Sequence, residues 1–321
     1  MTSKVQPKLI IHGGAGSSLK GEGGLTAIRE SLYGIVTQVY NLLLEGKSAT
    51  EAVIKGCQLL EDNPRFNAGT GSVLQSDGQI RMSAALMDGE KQRFSGVINV
   101  SKVKNPINLA NILQNKEDRV LSDYGSAELL RELQLPIYDP LTDLRLQEWI
   151  EERKNNFTRK MAGVVAEVSP NARRGTIGVV ALDQYGRISA GTSTGGKGLE
   201  KVGRVSDSAM PAGNYANSYA GVSCTGIGED IIDECLAAKI VIRVTDGLSL
   251  NEAMEKSMKE AWENKRDLGA IGIAAPSVSA ISRTGSIVLG KTSEILLAAY
   301  HDGEKMSDCL EWKGEKLVIS N

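Results

Sequence analysis

The sequence predicts a protein of mixed helices and strands, in the α+β or the α/β class. Segments with apolar residues at helical spacing, such as 28–42, alternate with short apolar runs typical of buried strands, such as Lys8 to Ile11. With 321 residues and 41% apolar content, the chain is long enough to bury a substantial core. We expect a single domain over residues 1–321.

The first part of the chain is typical of a strand, two helices and a set of short strands. The helix over 28–42 should stop at Gly46, and the next helix should begin at the capping box Ser48–Glu51, whose side chains can bond each other's backbone N–H groups. After a turn at Asp77–Gly78, short alternating runs extend to Val100. We expect the two helices to pack on a sheet.

A charged segment separates the two halves of the chain. Helices are expected near Leu109 and Leu129, whereas residues from about 149 to 175 are mainly charged and weakly periodic. We interpret these residues as a mobile linker, because exposed segments of this kind remain accessible to cleavage.

The second half is predicted to open with a hairpin. Strands over 177–182 and 188–194 should pair through the turn that contains Asp183 and Gly186, which brings Thr194 back near Thr176. The other predicted elements are a strand over 219–224, helices over 230–243 and 250–262, the second with a Ser249–Glu252 capping box, and a strand-turn-strand unit over 277–289.

Charge and cysteine content narrow the function classes. A net charge of −2 gives no general attraction to nucleic acid or to anionic membranes. The sequence shows no signal-peptide pattern and no apolar run that could span a bilayer, so we expect a cytoplasmic protein. The four cysteines have no CxxC spacing and predict neither a disulfide framework nor a zinc site; Cys57 and Cys235 are expected to be packed within helices.

A glycine-rich segment offers a nucleotide-binding alternative. Residues 191–198 nearly match a phosphate-binding P-loop, but Gly198 stands where a serine or threonine would coordinate magnesium, and no helix is predicted to start there. The segment therefore gives little support to a nucleotide site, and we expect no organic cofactor.

Thr176 is the strongest candidate for a nucleophile. It lies between Gly175 and the apolar strand that starts at Ile177. A threonine hydroxyl needs a base, and the residue's own α-amine can be that base once the preceding peptide bond is cut. Glycine at 175 allows backbone conformations that would let the hydroxyl approach its carbonyl. The simpler alternative is an ordinary strand start after a loop.

Several short motifs are spaced along the chain in a fixed order. They are IHGGAG at 11–16, FNAG at 66–69, MDG at 87–89, GTIG at 175–178, GRVSDS at 203–208 and TGIG at 225–228. Together they resemble the threonine-nucleophile amidohydrolases of the plant-type L-asparaginase and isoaspartyl peptidase family. The resemblance implies cleavage between Gly175 and Thr176, giving an alpha subunit of residues 1–175 and a beta subunit of residues 176–321.

The same resemblance implies roles for residues around the nucleophile. Thr194 would orient the Thr176 hydroxyl, and Asn67 would brace it. The Thr225 hydroxyl and the Gly226 N–H would form the oxyanion hole. No histidine is required, and we expect His12, which lies in a glycine-rich turn, to have a structural hydrogen-bonding role.

A cation and an anion should recognise the substrate. The guanidinium of Arg204 can hold the α-carboxylate of an aspartyl group through two N–H groups, and the Asp207 carboxylate can take its ammonium. The family resemblance implies both roles, and it adds the carbonyl of Gly228 as a further ammonium ligand. Without the flanking motifs, Arg204 and Asp207 would be interpreted as a solvated ion pair in a loop.

The resemblance also implies an architecture and an assembly. It predicts a four-layer αββα sandwich of the N-terminal-nucleophile hydrolase type and a homodimer of cleaved protomers, (αβ)2. It further predicts a structural sodium ion held by main-chain carbonyls of the loop over 60–70, with Leu60, Glu61, Asn63, Phe66, Ala68 and Thr70 at the matching positions.

The predicted activity is hydrolysis of β-aspartyl dipeptides and L-asparagine through a β-aspartyl ester of Thr176. Two alternatives stay open at this point. A glycosylasparaginase would share the nucleophile and the aspartyl grip, although Gly195-Gly196 resembles the asparaginase pattern more closely. A catalytically stalled protein that binds aspartate would retain the pocket without turnover.

Overall fold

Most of the helices and strands predicted from the apolar spacing are present, whereas the strands over 268–274 and 295–301 were not predicted. The computed structural model describes residues 4–16, 22–155, 157, 175–276, 285–312 and 316–319. The strands are β1 (Lys8–Gly16), β2 (Met82–Asp88), β3 (Arg93–Val100), β4 (Val120–Leu121), β5 (Ile177–Leu182), β6 (Ile188–Thr194), β7 (Asn214–Ala216), β8 (Ala220–Gly226), β9 (Leu268–Ala274), β10 (Ser286–Lys291), β11 (Ile295–His301), β12 (Met306–Asp308) and β13 (Lys316–Ile319). The helices are α1 (Glu22–Leu44), α2 (Ala49–Glu61), α3 (Pro106–Leu113), α4 (Asp123–Glu132), α5 (Asp143–Lys154), α6 (Gly228–Glu234), α7 (Leu236–Thr245) and α8 (Leu250–Glu263).

Two sheets carry the strands. The first has eight strands in the order β12-β11-β1-β5-β6-β2-β3-β4, and the second has five in the order β13-β10-β9-β8-β7. Neighbouring strands are antiparallel except β3 and β4. Helices α1, α2 and α3 contact the first sheet, α7 and α8 contact the second, and β5 and β6 of the first sheet contact β8 of the second. The predicted mixture of helices and strands is thus confirmed.

The core lies on both sides of the larger sheet. One apolar cluster joins α1 and α2 to β1 and β5 and includes Leu32, Val53 and Val179. Another includes Val180 of β5 and Ile271 of β9, so it lies between the two sheets. Strand β5 is buried along its whole length, as expected for a strand covered on both faces. In the described part of the chain, no helix is long and apolar enough to cross a membrane.

The hairpin after Thr176 forms as predicted. Strands β5 and β6 pair with Ile177 opposite Ser193, so that Thr176 and Thr194 lie at the same end of the hairpin. The Asp183 carboxylate accepts hydrogen bonds from the backbone N–H groups of Tyr185 and Arg187, and this fixes the turn. Gly186 has φ of +81°, a conformation that side chains disfavour.

Helix α5 corrects the start of the predicted linker. Residues 149–154 belong to this helix, so the prediction of a mobile segment from 149 is wrong there. The Thr142 side chain caps the first turn, and the buried Arg145 donates from Nε to the Gly71 carbonyl. The local cap and the one tertiary contact stabilise a helix that its apolar spacing does not reveal, because its composition is typical of an exposed surface. Residue 156 and residues 158–174 of the predicted linker lie outside the described residues.

Cys235 interrupts the helix that the sequence predicts over 230–243. Its φ and ψ of 46° and 43° are left-handed, so α6 ends and α7 begins at this residue. The prediction that Cys235 is packed is also wrong because the residue is exposed, whereas Cys57 is buried as expected. Of the strand-turn-strand unit over 277–289, residues 277–284 lie outside the described residues, and the later part contributes to β10.

A buried polar chain links the two sheets behind Thr176. His12 of β1 lies 2.9 Å from Ser223 Oγ of β8, which in turn lies 2.7 Å from Thr192 Oγ1 of β6. Burial lowers the pKa of His12 to about 3, so the imidazole is neutral. The hydrogen-bonding role expected for this histidine is thereby confirmed, but its predicted position in a turn is wrong because His12 lies within strand β1.

Replacing Gly178 with alanine is expected to destabilise the protein by about 2–4 kcal/mol. A methyl group at this position would overlap both Ser223 Oγ and His12 Nε2. Gly34 provides the matched control: it is exposed in α1 and has no neighbouring atom within 4 Å of the added carbon. Gly34→Ala should therefore stabilise the helix by about 0.5–1 kcal/mol. Urea unfolding of both variants measures the difference, and equal effects would contradict the role assigned to Gly178.

Candidate active site

The ends of β1, β6 and β8 meet around a cavity that contains Thr176. Strand register brings these ends together because β1 and β6 flank β5 on either side, while β8 packs against it from the second sheet. The cavity is lined by Ala15, Gly16, Asn67, Gly175, Thr176, Thr194, Gly196, Lys197, Arg204, Ser206, Asp207, Gly226, Ile227, Gly228 and Asp267.

Two threonine hydroxyls meet in this cavity. Thr176 Oγ1 donates to Thr194 Oγ1 over 3.2 Å, and both residues are buried. Thr194 Oγ1 also accepts a hydrogen bond of 3.1 Å from the Gly196 N–H. The antiparallel hairpin therefore fixes one hydroxyl against the other, and the following turn fixes the second.

Asn67 holds the glycine turn that follows Thr194. The side-chain Nδ2 of Asn67 donates to the Gly196 carbonyl over 2.6 Å, and the main-chain carbonyl of Asn67 accepts from the Gly195 N–H over 2.9 Å. The Oδ1 atom accepts from Val73 N–H. Asn67 thus acts on Thr194 through the backbone of residues 195–196.

The peptide backbone at Gly175 runs tightly past the end of β1. A side chain on Gly175 would overlap Gly14 Cα and would lie 2.9 Å from Thr225 Oγ1. Gly14 itself has φ of +127°, and a side chain there would meet the Gly175 backbone. Thr225 Oγ1 accepts a 3.1 Å hydrogen bond from the Ala15 N–H. The bond between Gly175 and Thr176 therefore lies beside the Thr225 hydroxyl.

Arg204 is gripped by a carboxylate that the sequence analysis missed. Its Nε and Nη2 lie 3.0 and 3.1 Å from the two oxygens of Glu229, and Lys197 Nζ lies 3.1 Å from one of them. Partial burial is the largest influence and works in the opposite direction, but hydrogen bonds from both cations and the charge of Arg204 lower the pKa of Glu229 to about 2. The only signal for Glu229 in the sequence is its position directly after Gly228.

Asp207 has a buried carboxyl that forms no ion pair with any residue the structure describes. Its Oδ2 atom finds no hydrogen-bond partner among the described residues. Burial raises its pKa to about 7, although the nearby Arg204 lowers it. An unfolded aspartate loses its proton near pH 4, so the free energy of unfolding contributed by Asp207 should fall as the pH rises from about 4 to about 7.

Gly228 brings Arg204 and Asp207 to one wall of the cavity. A side chain at 228 would lie 2.6 Å from Arg204 Nη2 and 2.7 Å from Asp207 Oδ1. Asp207 is buried and Arg204 pairs with Glu229, so these residues do not form the solvated ion pair considered as the simpler alternative.

The loop over 60–70 folds back on the end of α2. Leu60 and Glu61 are the last two residues of α2, and main-chain carbonyls at a helix C-terminus have no N–H donor within the helix. The Glu61 carbonyl accepts from Thr70 N–H over 2.8 Å, and a side chain on Gly69 would overlap that oxygen. The Asn63 side chain accepts from Arg65 N–H. Backbone oxygens are the donors that a hard cation prefers. The carbonyls of Leu60, Glu61 and Asn63 each accept a backbone N–H, and a carbonyl oxygen has a second lone pair. The described residues contain no side-chain cluster of metal-ligand type.

The near match to a P-loop does not build a nucleotide site. Residues 191–194 lie within β6, and no helix begins in the segment 195–206, all of which the structure describes. A phosphate-binding loop requires a helix N-terminus directly after the glycines.

A buried pair of threonine hydroxyls facing a guanidinium and a carboxyl is suited to amide hydrolysis, which defines the class of protein as a hydrolase. Residues 5–311 match the model of the family described as asparaginase. The chain belongs to this asparaginase family, which consists of N-terminal-nucleophile hydrolases.

Curated relatives are similar along nearly the whole chain. A protein from Nostoc sp. named isoaspartyl peptidase/L-asparaginase is 69% identical over 315 residues, covering 97% of this chain and 96% of its own. A protein of the same name from Synechocystis sp. is 64% identical, with coverage of 95% and 91%. A plant-type L-asparaginase from Pyrococcus furiosus is 40% identical, with coverage of 79% and 84%.

Proposed function

We propose that this chain cuts itself between Gly175 and Thr176 and then releases L-aspartate from β-aspartyl dipeptides and L-asparagine. The observation that carries the proposal is one cavity lined by the Thr176–Thr194 hydroxyl pair, by Arg204 and by Asp207, whose Oδ2 atom has no hydrogen-bond partner among the described residues. The names of the Nostoc and Synechocystis relatives support the same two activities.

Self-cleavage uses the tight passage of the backbone at Gly175. The Thr176 hydroxyl attacks the Gly175 carbonyl carbon, and the amide becomes an ester as the Thr176 nitrogen leaves. The departing nitrogen takes the hydroxyl proton and becomes the free α-amine. Water then hydrolyses the ester, which restores the Thr176 hydroxyl and releases the new carboxylate of Gly175. The Thr225 hydroxyl lies beside Gly175 and can stabilise the oxyanion of this step.

The freed amine of Thr176 acts as the general base. An α-amino group has a pKa of about 7.7–8.0, so a useful fraction is neutral near pH 7. His12 is unsuited to the role because its Nε2 is bonded to Ser223 and its imidazole is buried. Thr194 holds the nucleophile by the hydrogen bond already formed in the uncut chain.

The two charged groups of the substrate pair with the charged residues of the cavity. Arg204 gives Nε and Nη2 to Glu229, and its outer edge takes the α-carboxylate of the aspartyl group. The substrate ammonium supplies the partner that Asp207 lacks, with the Gly228 carbonyl as a further acceptor. This grip selects an aspartyl group by both of its charges.

The catalytic cycle then proceeds through an ester. Thr176 Oγ1 attacks the side-chain amide carbon of the substrate, and its proton passes to the α-amine of Thr176. The Thr225 hydroxyl and the Gly226 N–H stabilise the oxyanion, and such donors contribute about 3–4 kcal/mol each. The leaving amine takes a proton and departs, and water attacks the β-aspartyl ester to release aspartate. Gly226 has φ of +129°, and a side chain at this position would overlap Leu268 Cα, so the oxyanion hole requires glycine here.

The proposal extends to the scaffold. Contact of helices with each sheet, and of the sheets with each other, supports a four-layer αββα sandwich in one domain. The carbonyl oxygens of the loop over 60–70 would hold a sodium ion, whose charge would stabilise this turn and take no part in the reaction. Cleaved protomers would assemble as (αβ)2.

Two measurements test the proposed function. The intact mass under denaturing conditions, with amino-terminal sequencing, should reveal chains of residues 1–175 and 176–321, the second beginning Thr-Ile-Gly. Turnover is then measured on β-aspartyl-leucine, asparagine and a glycosylated asparagine. Hydrolysis of the first two supports the proposal, whereas hydrolysis of the third alone, or an uncut inactive chain, contradicts it.

Binding of aspartate below pH 7 is expected to release a proton. The carboxyl of Asp207, with its pKa near 7, is largely protonated at pH 6, and the ligand ammonium favours the ionised form. Calorimetry at pH 6 in two buffers of different ionisation enthalpy should give a release approaching one proton. Asp207→Asn should release none; unchanged release in that variant would assign the proton to another group.

A further inference from the structure

Lys197 is a second cation in the cavity. Its backbone follows the turn that Asn67 holds, because Asn67 Nδ2 bonds the carbonyl of the preceding residue, Gly196, over 2.6 Å. Lys197 lines the same cavity as Thr176 and Arg204. The lysine thus follows Thr194 by three residues in a hydrogen-bonded turn, and it shares the cavity with the hydroxyl pair and the arginine.

One carboxylate serves both cations. Glu229 Oε1 bonds Arg204 Nε and Lys197 Nζ, while Oε2 bonds Arg204 Nη2. The three side chains therefore carry one excess positive charge. The Lys197 side chain is 31% exposed and that of Arg204 is 13% exposed, so the lysine is the outer of the two. An ammonium has three N–H donors, and Glu229 occupies one of them.

The two proposed substrates differ by one charge. Asparagine carries an ammonium and one carboxylate, which Asp207 and Arg204 would bind. A β-aspartyl dipeptide has the same groups and adds the free carboxylate of its leaving amino acid. Among the described residues that line the cavity, the cations are Arg204 and Lys197. Asp267 also lines the cavity, and its negative charge disfavours a carboxylate beside it, so a second substrate carboxylate should bind at a cation.

We propose that Lys197 binds the carboxylate of the leaving amino acid and so favours β-aspartyl dipeptides over asparagine. This inference rests on the proposed function. Because the lysine side chain is flexible, Nζ can retain its hydrogen bond to Glu229 while a second N–H donates to a substrate carboxylate at the cavity mouth. The contact is formed with substrates that end in a free carboxylate and is absent with asparagine.

A substrate pair isolates this contact. β-Aspartyl-leucine and β-aspartyl-leucinamide differ only in the carboxylate, which the amide replaces at similar size. In the mature protein, kcat/KM should favour the free acid by about ten- to a hundredfold, the range for a hydrogen bond to a charged group. Lys197→Met should reduce this ratio to near one and leave asparagine turnover within about twofold. Lys197→Arg should retain most of the preference.

Lys201→Met is the matched control because Lys201 is exposed and does not line the cavity. Equal loss on all three substrates in Lys197→Met would show that the lysine acts on the aspartyl end through Glu229, which overturns the proposal. A wild-type ratio near one also overturns it while leaving the proposed function intact. Absence of turnover on every substrate would instead refute the proposed function itself and this inference with it.

Discussion

A chain in which Thr176 is replaced by alanine is expected to remain uncut and to hydrolyse neither β-aspartyl-leucine nor asparagine. One hydroxyl is assigned to both reactions, so its removal eliminates both at once. Loss of a nucleophile typically lowers kcat by about a millionfold. Mass spectrometry follows cleavage, and ammonia or leucine release follows turnover.

Two control variants sharpen this result. Thr176→Ser keeps a hydroxyl beside Thr194 and should both cleave and turn over, at a lower rate. Thr37→Ala removes a hydroxyl that bonds only within α1 and toward Met306, far from the cavity in the fold, and should change neither reaction. If Thr176→Ala still cleaves after residue 175, the shared nucleophile is refuted.

Asp207→Asn is expected to separate the two reactions. The amide keeps the shape of the side chain but cannot balance a substrate ammonium. Loss of one partner of a buried charge pair costs about 2–5 kcal/mol, so kcat/KM should fall by about thirtyfold to a few thousandfold. Cleavage at Gly175 should continue, because attack on the Gly175 carbonyl uses the hydroxyls of Thr176, Thr194 and Thr225. This peptide segment has no ammonium group that Asp207 would need to bind.

Asp118→Asn is the matched control, since Asp118 is exposed and lies outside the cavity. It should leave both reactions unchanged. An Asp207→Asn protein that cleaved itself and retained full kcat/KM on asparagine would remove Asp207 from substrate binding. One that failed to cleave would assign the residue to maturation instead.

Local sequence signals predicted those parts of the fold that local interactions determine. The β5–β6 hairpin follows from the turn at Asp183–Gly186, whose carboxylate bonds are made within a few residues. The capping boxes at Ser48 and Ser249 are similarly local, and both are present. The position of Thr176 opposite Thr194 needs nothing beyond this hairpin. The wider placement of Arg204 and Asp207 came from resemblance to a family.

Elements that depend on distant contacts were missed. The apolar spacing of 230–243 continues through Cys235, so nothing in the pattern reveals its left-handed backbone. Helix α5 depends on Arg145 reaching the Gly71 carbonyl, which is 74 residues away in sequence. Glu229 resembles any acid in a first helical turn until Arg204, 25 residues earlier, is placed against it.

The pairing of β1 has a consequence for the mature protein. This strand belongs to the part before residue 176, yet it lies between β5 and β11, which both come after it. After cleavage, the two polypeptides would remain interleaved within a single sheet, with the new amino terminus held at the start of a central strand. Cleavage would therefore break the covalent chain but leave the two polypeptides as one folded unit. Both polypeptides would unfold in a single thermal transition.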